Sequence, residues 1–327
     1  MPKVSVVMNC YNGAQYLKGA LDSIYAQTFS DWEIIFWDNA STDDSAQIVQ
    51  SYDARVKYFK GSGYEVLGLV RNKAVAQARG EYIAFLDCDD LWLPDKLEKQ
   101  LELFAADTVL VYSNYIVKDL IANLDYLAHN PKKAFYSGAV TRQLCKKNFI
   151  GFQTAIVSRA ALGKLDFIFD KELVYAADYD LYIRLSLLGN FAYTRQALVI
   201  YRKHKANFTN SRRYIMAHDF SYFLNKYKTI LDKRALSGIA NSYVDCVRRD
   251  LRKAGFKLMP AFLNLGFSLR RILLSFVFLL FTEEQLYSLK GKFESYGVLN
   301  YFLKLFYGIR PLKKMDKAII EETLRQK

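Results

Sequence analysis

Four short apolar runs in the first ninety residues, each followed by a stretch with helical spacing, leave this chain few folds to choose from. Residues 4–8 (VSVVM) read as a strand, a Tyr11, Asn12, Gly13 turn follows, and Leu17, Leu21 and Ile24 then recur along one helical face. Residues 33–37 (EIIFW) are the second run, after which Ser41 begins a helix with Asp43 and Asp44 in its first turn, where the helix dipole favours negative charge. Residues 56–59 (VKYF) make a third strand, and a helix over about 70–77 leads through Gly80 to a fourth, 82–86 (YIAFL). Strands alternating with helices imply a mainly parallel sheet covered by helices, and such sheets hold their ligands at the carboxyl ends of the strands.

At that edge the sequence places three carboxylates. Asp87, Asp89 and Asp90 follow the fourth run directly (LDCDD), and carboxylates so placed suit a hard divalent cation better than a core. Asp90 is also placed to cap a helix beginning near Pro94, and Cys88 reads as a packed residue. Residues 61–68 (GSGYEVLG) do not meet the GxGxxG spacing, and no glycine-rich phosphate loop follows the first strand, which argues against a dinucleotide fold and a sugar-nucleotide pyrophosphorylase.

Composition narrows the class further. With 327 residues, 52% of them apolar, the chain can bury a full core in one large domain or two. Cys10, Cys88, Cys145 and Cys246 form no CxxC pair, so neither a disulfide framework nor a zinc knuckle is expected, and a reducing compartment fits best. The opening MPKVSVVMNCYN has no leader-like pattern. Three histidines, with no second one near His204, exclude a histidine metal cluster.

Charge is divided unevenly. Residues 1–201 carry 21 Lys and Arg against 23 Asp and Glu, whereas residues 202–327 carry 25 against 10, so the net +13 belongs to the C-terminal part. There, residues 272–281 (ILLSFVFLLF) are too few to cross a bilayer, which takes ~20 apolar residues. Residues 259–269 extend the run only by putting Arg270 and Arg271 mid-membrane. Residues 296–309 (YGVLNYFLKLFYGI) run into Arg310, Lys313, Lys314 and Lys317, the composition of helices that lie in the headgroup layer. Helices packed on the first domain or forming a dimer would use the same apolar residues; the charge excess favours an anionic membrane surface. The expected organisation is a catalytic domain over 1–214 and a basic helical region over 215–327.

Four segments, VSVVMNCYN, WEIIFWDNASTDDS, LVRNKAVAQARGEYIAFLDCDD and ADYDLYIRL, resemble in order and spacing the family 2 glycosyltransferases, over about the first 210 residues. The resemblance implies a GT-A fold in the α/β class, a nucleotide-diphosphate sugar donor such as a UDP-sugar, Mg²⁺ or Mn²⁺, and inversion at the anomeric carbon. It places Asn9, Tyr11, Asp38, Arg71, Asp87 and His204 at the donor, the last from YRKH, which is similar to the family's YRxH. It assigns the metal to Asp87 and Asp89. The chain departs from the family's DDGSTD at Asn39 and Ala40, and from its ED pair at Ala177.

An acceptor hydroxyl is a weak nucleophile, so single displacement calls for a general base, and Asp178 is the candidate. Asp180 has a plainer role, an ion pair with Arg184 four residues on. Residues 122–152, rich in Lys and aromatics, are placed for acceptor-side loops. The expected partners are a nucleotide-sugar, a glycan or glycolipid acceptor and an anionic membrane surface on the cytoplasmic side, with no nucleic acid. The alternative is a non-catalytic scaffold that binds membrane or nucleic acid through the basic region.

Overall fold

The computed structural model describes residues 1–130, 135–207, 216–227 and 231. Its strands form one sheet, mixed in direction. The first half follows the alternation read from the sequence: β1 (Val4–Cys10), α1 (Ala14–Tyr25), β2 (Trp32–Asp38), α2 (Ser45–Gln50), β3 (Val56–Lys60), α3 (Leu67–Gln77) and β4 (Tyr82–Phe85). β1 pairs in parallel with β2 and β4, and β2 with β3.

These strands are apolar on both sides, as a sheet covered on both faces requires. Val4, Val6 and Met8 of β1, with Ile34 and Phe36 of β2 and Ala84 next to β4's Phe85, face the α1 side among Leu17, Leu21 and Ile24. Val7, Ile35, Ile83 and Phe85 face the other side, where α3 supplies Ala74 and Val75. Gly80 turns the chain into β4 against β1, where a Cβ would lie 2.4 Å from the Ser5 nitrogen, so no other residue fits.

The second half corrects the expectation of a mainly parallel sheet. It runs through β5 (Leu91–Trp92), α4 (Lys96–Leu101), β6 (Thr108–Asp119), β7 (Leu124–Leu127), α5 (Thr141–Lys146), a 3₁₀ turn (Phe152–Thr154), β8 (Ile156–Ser158), α6 (Arg159–Leu162), α7 (Ala177–Ser186) and β9 (Asn190–Lys203). β8 is antiparallel to β4 and β6, β7 is antiparallel to β6, and β5 is antiparallel to β9; only β6 and β9 run parallel. The reversal follows from short connections: neither β8 nor β5 is preceded by a helix long enough to carry the chain back across the sheet.

A further helix, α8 (Met216–Tyr227), lies beyond the boundary expected near Tyr214, itself outside the described residues, and packs on α7, with Phe223 and Tyr227 in the same core as Leu181 and Ile183. The segments 259–269, 272–281 and 296–309 and their basic flanks lie outside the described residues. Among the described residues no helix is long and apolar enough to cross a membrane.

Candidate active site

The carboxyl ends of β1, β2 and β4 open onto a shared edge, and the acidic motif leaves β4 there. Asp87 meets Arg71 of α3, whose Nη2 lies 3.2 Å from Oδ1. The guanidinium rests 3.7 Å above the Phe152 ring and is only 8% exposed, and its Nε finds no hydrogen-bond partner among the described residues. Burial raises the Asp87 carboxyl above the usual carboxylate range; Arg71 opposes the rise and Asp89 adds to it. Asp178 reaches the same neighbourhood from the first turn of α7. Burial pushes its carboxyl up to about 6, with Arg71 pulling down and Asp87 pushing up, while Oδ1 accepts from the Tyr179 N–H at 2.8 Å. One helical turn on, Tyr182 is fully buried with no hydrogen-bond partner for its hydroxyl among the described residues. Three residues separated by up to 107 positions, Arg71, Asp87 and Asp178, thus share one field.

The other half of the motif is gripped by the end of β9. Antiparallel pairing sets Leu91 opposite Ile200, and this register carries YRKH onto DCDD. Arg202 donates Nε to the Asp89 carbonyl and Nη2 to the Tyr16 carbonyl at 3.2 Å, and its backbone N–H donates to Asp90 Oδ1 at 2.9 Å. His204 stacks on Tyr16 and brings Nε2 to 3.0 Å from Asp89 Oδ2, and Asn207 donates to the same oxygen at 3.0 Å. Asp90 therefore does not cap the next helix, which starts at Lys96 with Asp95 at its N-cap; Asp90 is 1% exposed and serves as the acceptor that fixes β9 over the motif. Arg202 belongs to the YRKH segment singled out with His204; Asn207 and Tyr16 were not anticipated as site residues, although Asn207 follows YRKH closely enough for that segment to have pointed to it.

Around β1 and β2 the structure reassigns three side chains. The second helix begins at Ser45, not Ser41, and Ser41 and Ser45 serve the start of α1, while Asp43 serves both starts, its Oδ1 accepting from the Ser45 N–H at 3.1 Å. The Asn12 N–H donates to Ser41 Oγ, the Gly13 N–H to Ser45 Oγ and the Ala14 N–H to Asp43 Oδ2, at 3.0, 3.1 and 2.9 Å. With Gly at its own N-cap, α1 has no side chain there to satisfy these amides, so the neighbouring loop does so. They are consequently not a free phosphate cradle. Asp38 is fully buried, its oxygens accepting from the Ser41 N–H and the Tyr58 hydroxyl at 2.8 and 2.7 Å. Asn39 exchanges hydrogen bonds with the backbone of Glu65, and Ala40, where the family has Gly, stands in the left-handed region at φ +64°. Asn9 presents a buried amide nitrogen without a hydrogen-bond partner among the described residues. Tyr11 is half exposed and packs edge-on to Tyr64 at 4.7 Å, which leaves aromatic faces at the mouth.

Among the described residues no set of three or more His, Cys, Asp and Glu side chains encloses a metal. The donors present are the carboxylates of Asp87 and Asp89, with His204 beside Asp89. Such a set fits a divalent ion that takes one or two carboxylates and completes its shell with substrate phosphates and water, as Mg²⁺ does, and does not fit an all-protein cage. A cavity of about 390 Å³ opens near the β6–β7 hairpin, lined by Tyr115, Tyr126, His129, Lys147, Asn148 and Tyr201 among others. Burial, with Lys147 adding to it, pushes the His129 ring down to about 4, so the cavity presents it neutral.

Comparison with known proteins decides the class. The Glycosyl transferase family 2 model matches residues 5–166. An Escherichia coli protein, the UDP-Glc:alpha-D-GlcNAc-diphosphoundecaprenol beta-1,3-glucosyltransferase WfgD, is 30% identical over 189 residues, 57% of this chain and 69% of that one. The chain belongs to glycosyltransferase family 2. It is also 34% identical over 172 residues to TuaG of Bacillus subtilis, named for teichuronic acid biosynthesis, of which it spans 65% and which in turn covers 50% of this chain. The first 349 residues of S. aureus TarS, solved with UDP-GlcNAc, superpose with a TM-score of 0.62 at 21% identity over 80% of this chain and 79% of that one. PcManGT of Pyrobaculum calidifontis, solved with GDP-Man and Mn²⁺, does so at 0.55 and 19% identity over 85% of each chain. This family 2 enzyme therefore has the GT-A fold.

Proposed function

We propose that this glycosyltransferase moves a sugar from a UDP-sugar to a hydroxyl of a lipid-linked or surface glycan, with inversion. The observation that carries the reading is the Asp178 carboxylate lying in the electrostatic field of the hydrogen-bonded Arg71–Asp87 pair, with raised proton affinity, at the sheet edge where a donor diphosphate would bind. Asp178 takes the acceptor hydroxyl's proton as that oxygen bonds to the anomeric carbon, and the bond from that carbon to the diphosphate oxygen breaks, its electron pair leaving with the nucleotide. A divalent ion held by Asp87 and Asp89 beside His204, Mn²⁺ or Mg²⁺, would neutralise the diphosphate and ease its departure. Arg71 keeps Asp87 oriented through its Nη2 and places its positive charge beside the donor site. Asn9 and the Tyr11–Tyr64 pair are placed for the nucleoside, and Asp38 holds the turn beneath it.

The acceptor class draws support from the lipid-diphosphate acceptor in WfgD's name and the surface polymer in TuaG's, and the donor from the UDP-GlcNAc bound to TarS. The cavity beside the hairpin offers aromatic faces and polar groups for a glycan ring, in the segment expected on the acceptor side. The basic segment from residue 202 onward would hold the enzyme at the cytoplasmic membrane face.

Three measurements test the reading. A panel of UDP-, GDP- and dTDP-sugars with Mn²⁺ identifies the donor consumed. Asp178→Asn is expected to keep UDP binding while transfer falls by about 10² to 10⁴; near-normal turnover would remove Asp178 from the role of base. Chelation is expected to abolish both donor binding and transfer, and undiminished transfer in excess EDTA would refute the metal assignment.

A further inference from the structure

Helix α7 carries Asp178 but cannot secure its own start. Its N-cap is Ala176, which has no side-chain acceptor, and the three residues leading into the helix, Val174, Tyr175 and Ala176, expose N–H groups in succession. All three donate to one oxygen, Oδ2 of Asp219 in α8: Val174 at 2.8 Å, Ala176 at 3.0 Å, and Tyr175 between them. Asp219 is 1% exposed, and its carboxylate stands at the positive end of α7.

The rest of the same α8 face grips the residues next to Asp178. Phe223 stacks on Tyr179 with ring centres 5.2 Å apart. The Tyr227 hydroxyl donates to Asp180 Oδ1 at 2.8 Å, and Lys226 pairs with Asp180 at 2.6 Å and Asp170 at 2.8 Å. Positions 219, 223, 226 and 227 follow the spacing of one helical face. The two residues after Asp178 are thus fixed by α8, while Asp178 lies in the field of Arg71 and Asp87.

We propose that Asp219 is a positioning residue for glycosyl transfer: from a helix past the expected domain boundary it sets where α7 begins, and through that the reach of the Asp178 carboxylate toward the acceptor hydroxyl. The proposal rests on Asp178 being the base. A displacement of about 1 Å in a reacting group lowers rates by as much as about 10²-fold. Water is small and reorients freely, so hydrolysis of the donor tolerates a misplaced base better than transfer to a bulky acceptor does.

The test uses the full chain with Mn²⁺, a UDP-sugar panel headed by UDP-glucose and UDP-GlcNAc, and a GlcNAc-diphosphoalkyl acceptor. It compares wild type, Asp219→Ala and the near-isosteric Asp219→Asn. The readout is the ratio of transfer to donor hydrolysis, which loss of folded enzyme does not change, together with UDP affinity. The expected result is a ratio lowered about 10- to 100-fold in Asp219→Ala, an intermediate value in Asp219→Asn, and UDP affinity within about twofold of wild type. A ratio unchanged in both variants, with total rates merely reduced, would show that Asp219 only supports the fold. Asp178→Asn measured alongside separates the two ideas: if it transfers normally, the base assignment fails and takes this route with it, whereas an inert Asp178→Asn beside an unchanged Asp219 ratio overturns the positioning role alone.

Discussion

Ala40 holds a left-handed backbone at φ +64° where the family has glycine, a conformation that costs a residue with a Cβ about 1–2 kcal/mol. Ala40→Gly should therefore raise stability by about 1 kcal/mol, a gain of roughly 2–4 °C in thermal unfolding for a domain of this size; an unchanged or lower midpoint would show that the turn bears no strain. Asp178 yields a prediction of opposite sign for activity and stability. Because burial raises its carboxyl to about 6, turnover should fall as pH drops below 6 and the base takes up a proton. The folded state binds that proton more tightly than the unfolded chain does, so the contribution to stability is present at low pH and is lost as pH rises through 6. Asp178→Asn should consequently melt no lower than wild type near pH 7.5 while losing transfer. At this scale the sequence disclosed which residue types gather, since Arg71, Asp87, Asp89, Asp178 and His204 each stood in a recognisable segment. It did not disclose the Tyr58 hydroxyl on Asp38 or the Asp219 carboxylate at the start of α7, because hydrogen bonds between distant segments leave no local pattern.

Between elements, the pairing of β5 with β9 decides the site. Two residues of β5 suffice to align YRKH with DCDD, and Arg202 fastens the alignment through two backbone carbonyls. A planar guanidinium reaches both at once and an ammonium does not. Arg202→Lys should thus behave much like Arg202→Ala, with donor KM raised about tenfold and Asp178-dependent pH behaviour unchanged; full activity in the lysine variant would limit the contact to one carbonyl. The first four strands were legible because each is an apolar run of four to seven residues followed by a helical period. The later ones were not: β5 and β8 have two and three residues, too few for any period to register. The start of α2 was misplaced for a related reason, since Ser41, Ser45 and Asp43, types that ordinarily announce a helix, here accept from the amides at the start of its neighbour α1.

Taken whole, the molecule places near-neutral chemistry in its first 201 residues and all its excess positive charge after them. If that segment holds the enzyme on an anionic surface, co-sedimentation with vesicles containing phosphatidylglycerol should be strong at low ionic strength and fall steeply towards 0.5 M salt, as screening lengths shrink to a few ångströms. Vesicle binding indifferent to salt would show that charge does not hold the segment there, and salt-dependent binding to RNA stronger than to vesicles would favour a nucleic-acid role for that region. The boundary near Tyr214 was drawn from the change in charge, yet α8 packs its face on α7, so composition and mechanical continuity divide the chain at different places.

The placement of β9 also has a consequence in time. Its final residues close over a motif made more than a hundred positions earlier, and α8 comes later still. During synthesis the nucleotide-facing strands can assemble first, but a nascent chain lacks the strap and the latch until residues 202–227 have been made. Until then it would have the sheet edge for a sugar nucleotide without the contacts that hold DCDD and the start of α7 in place.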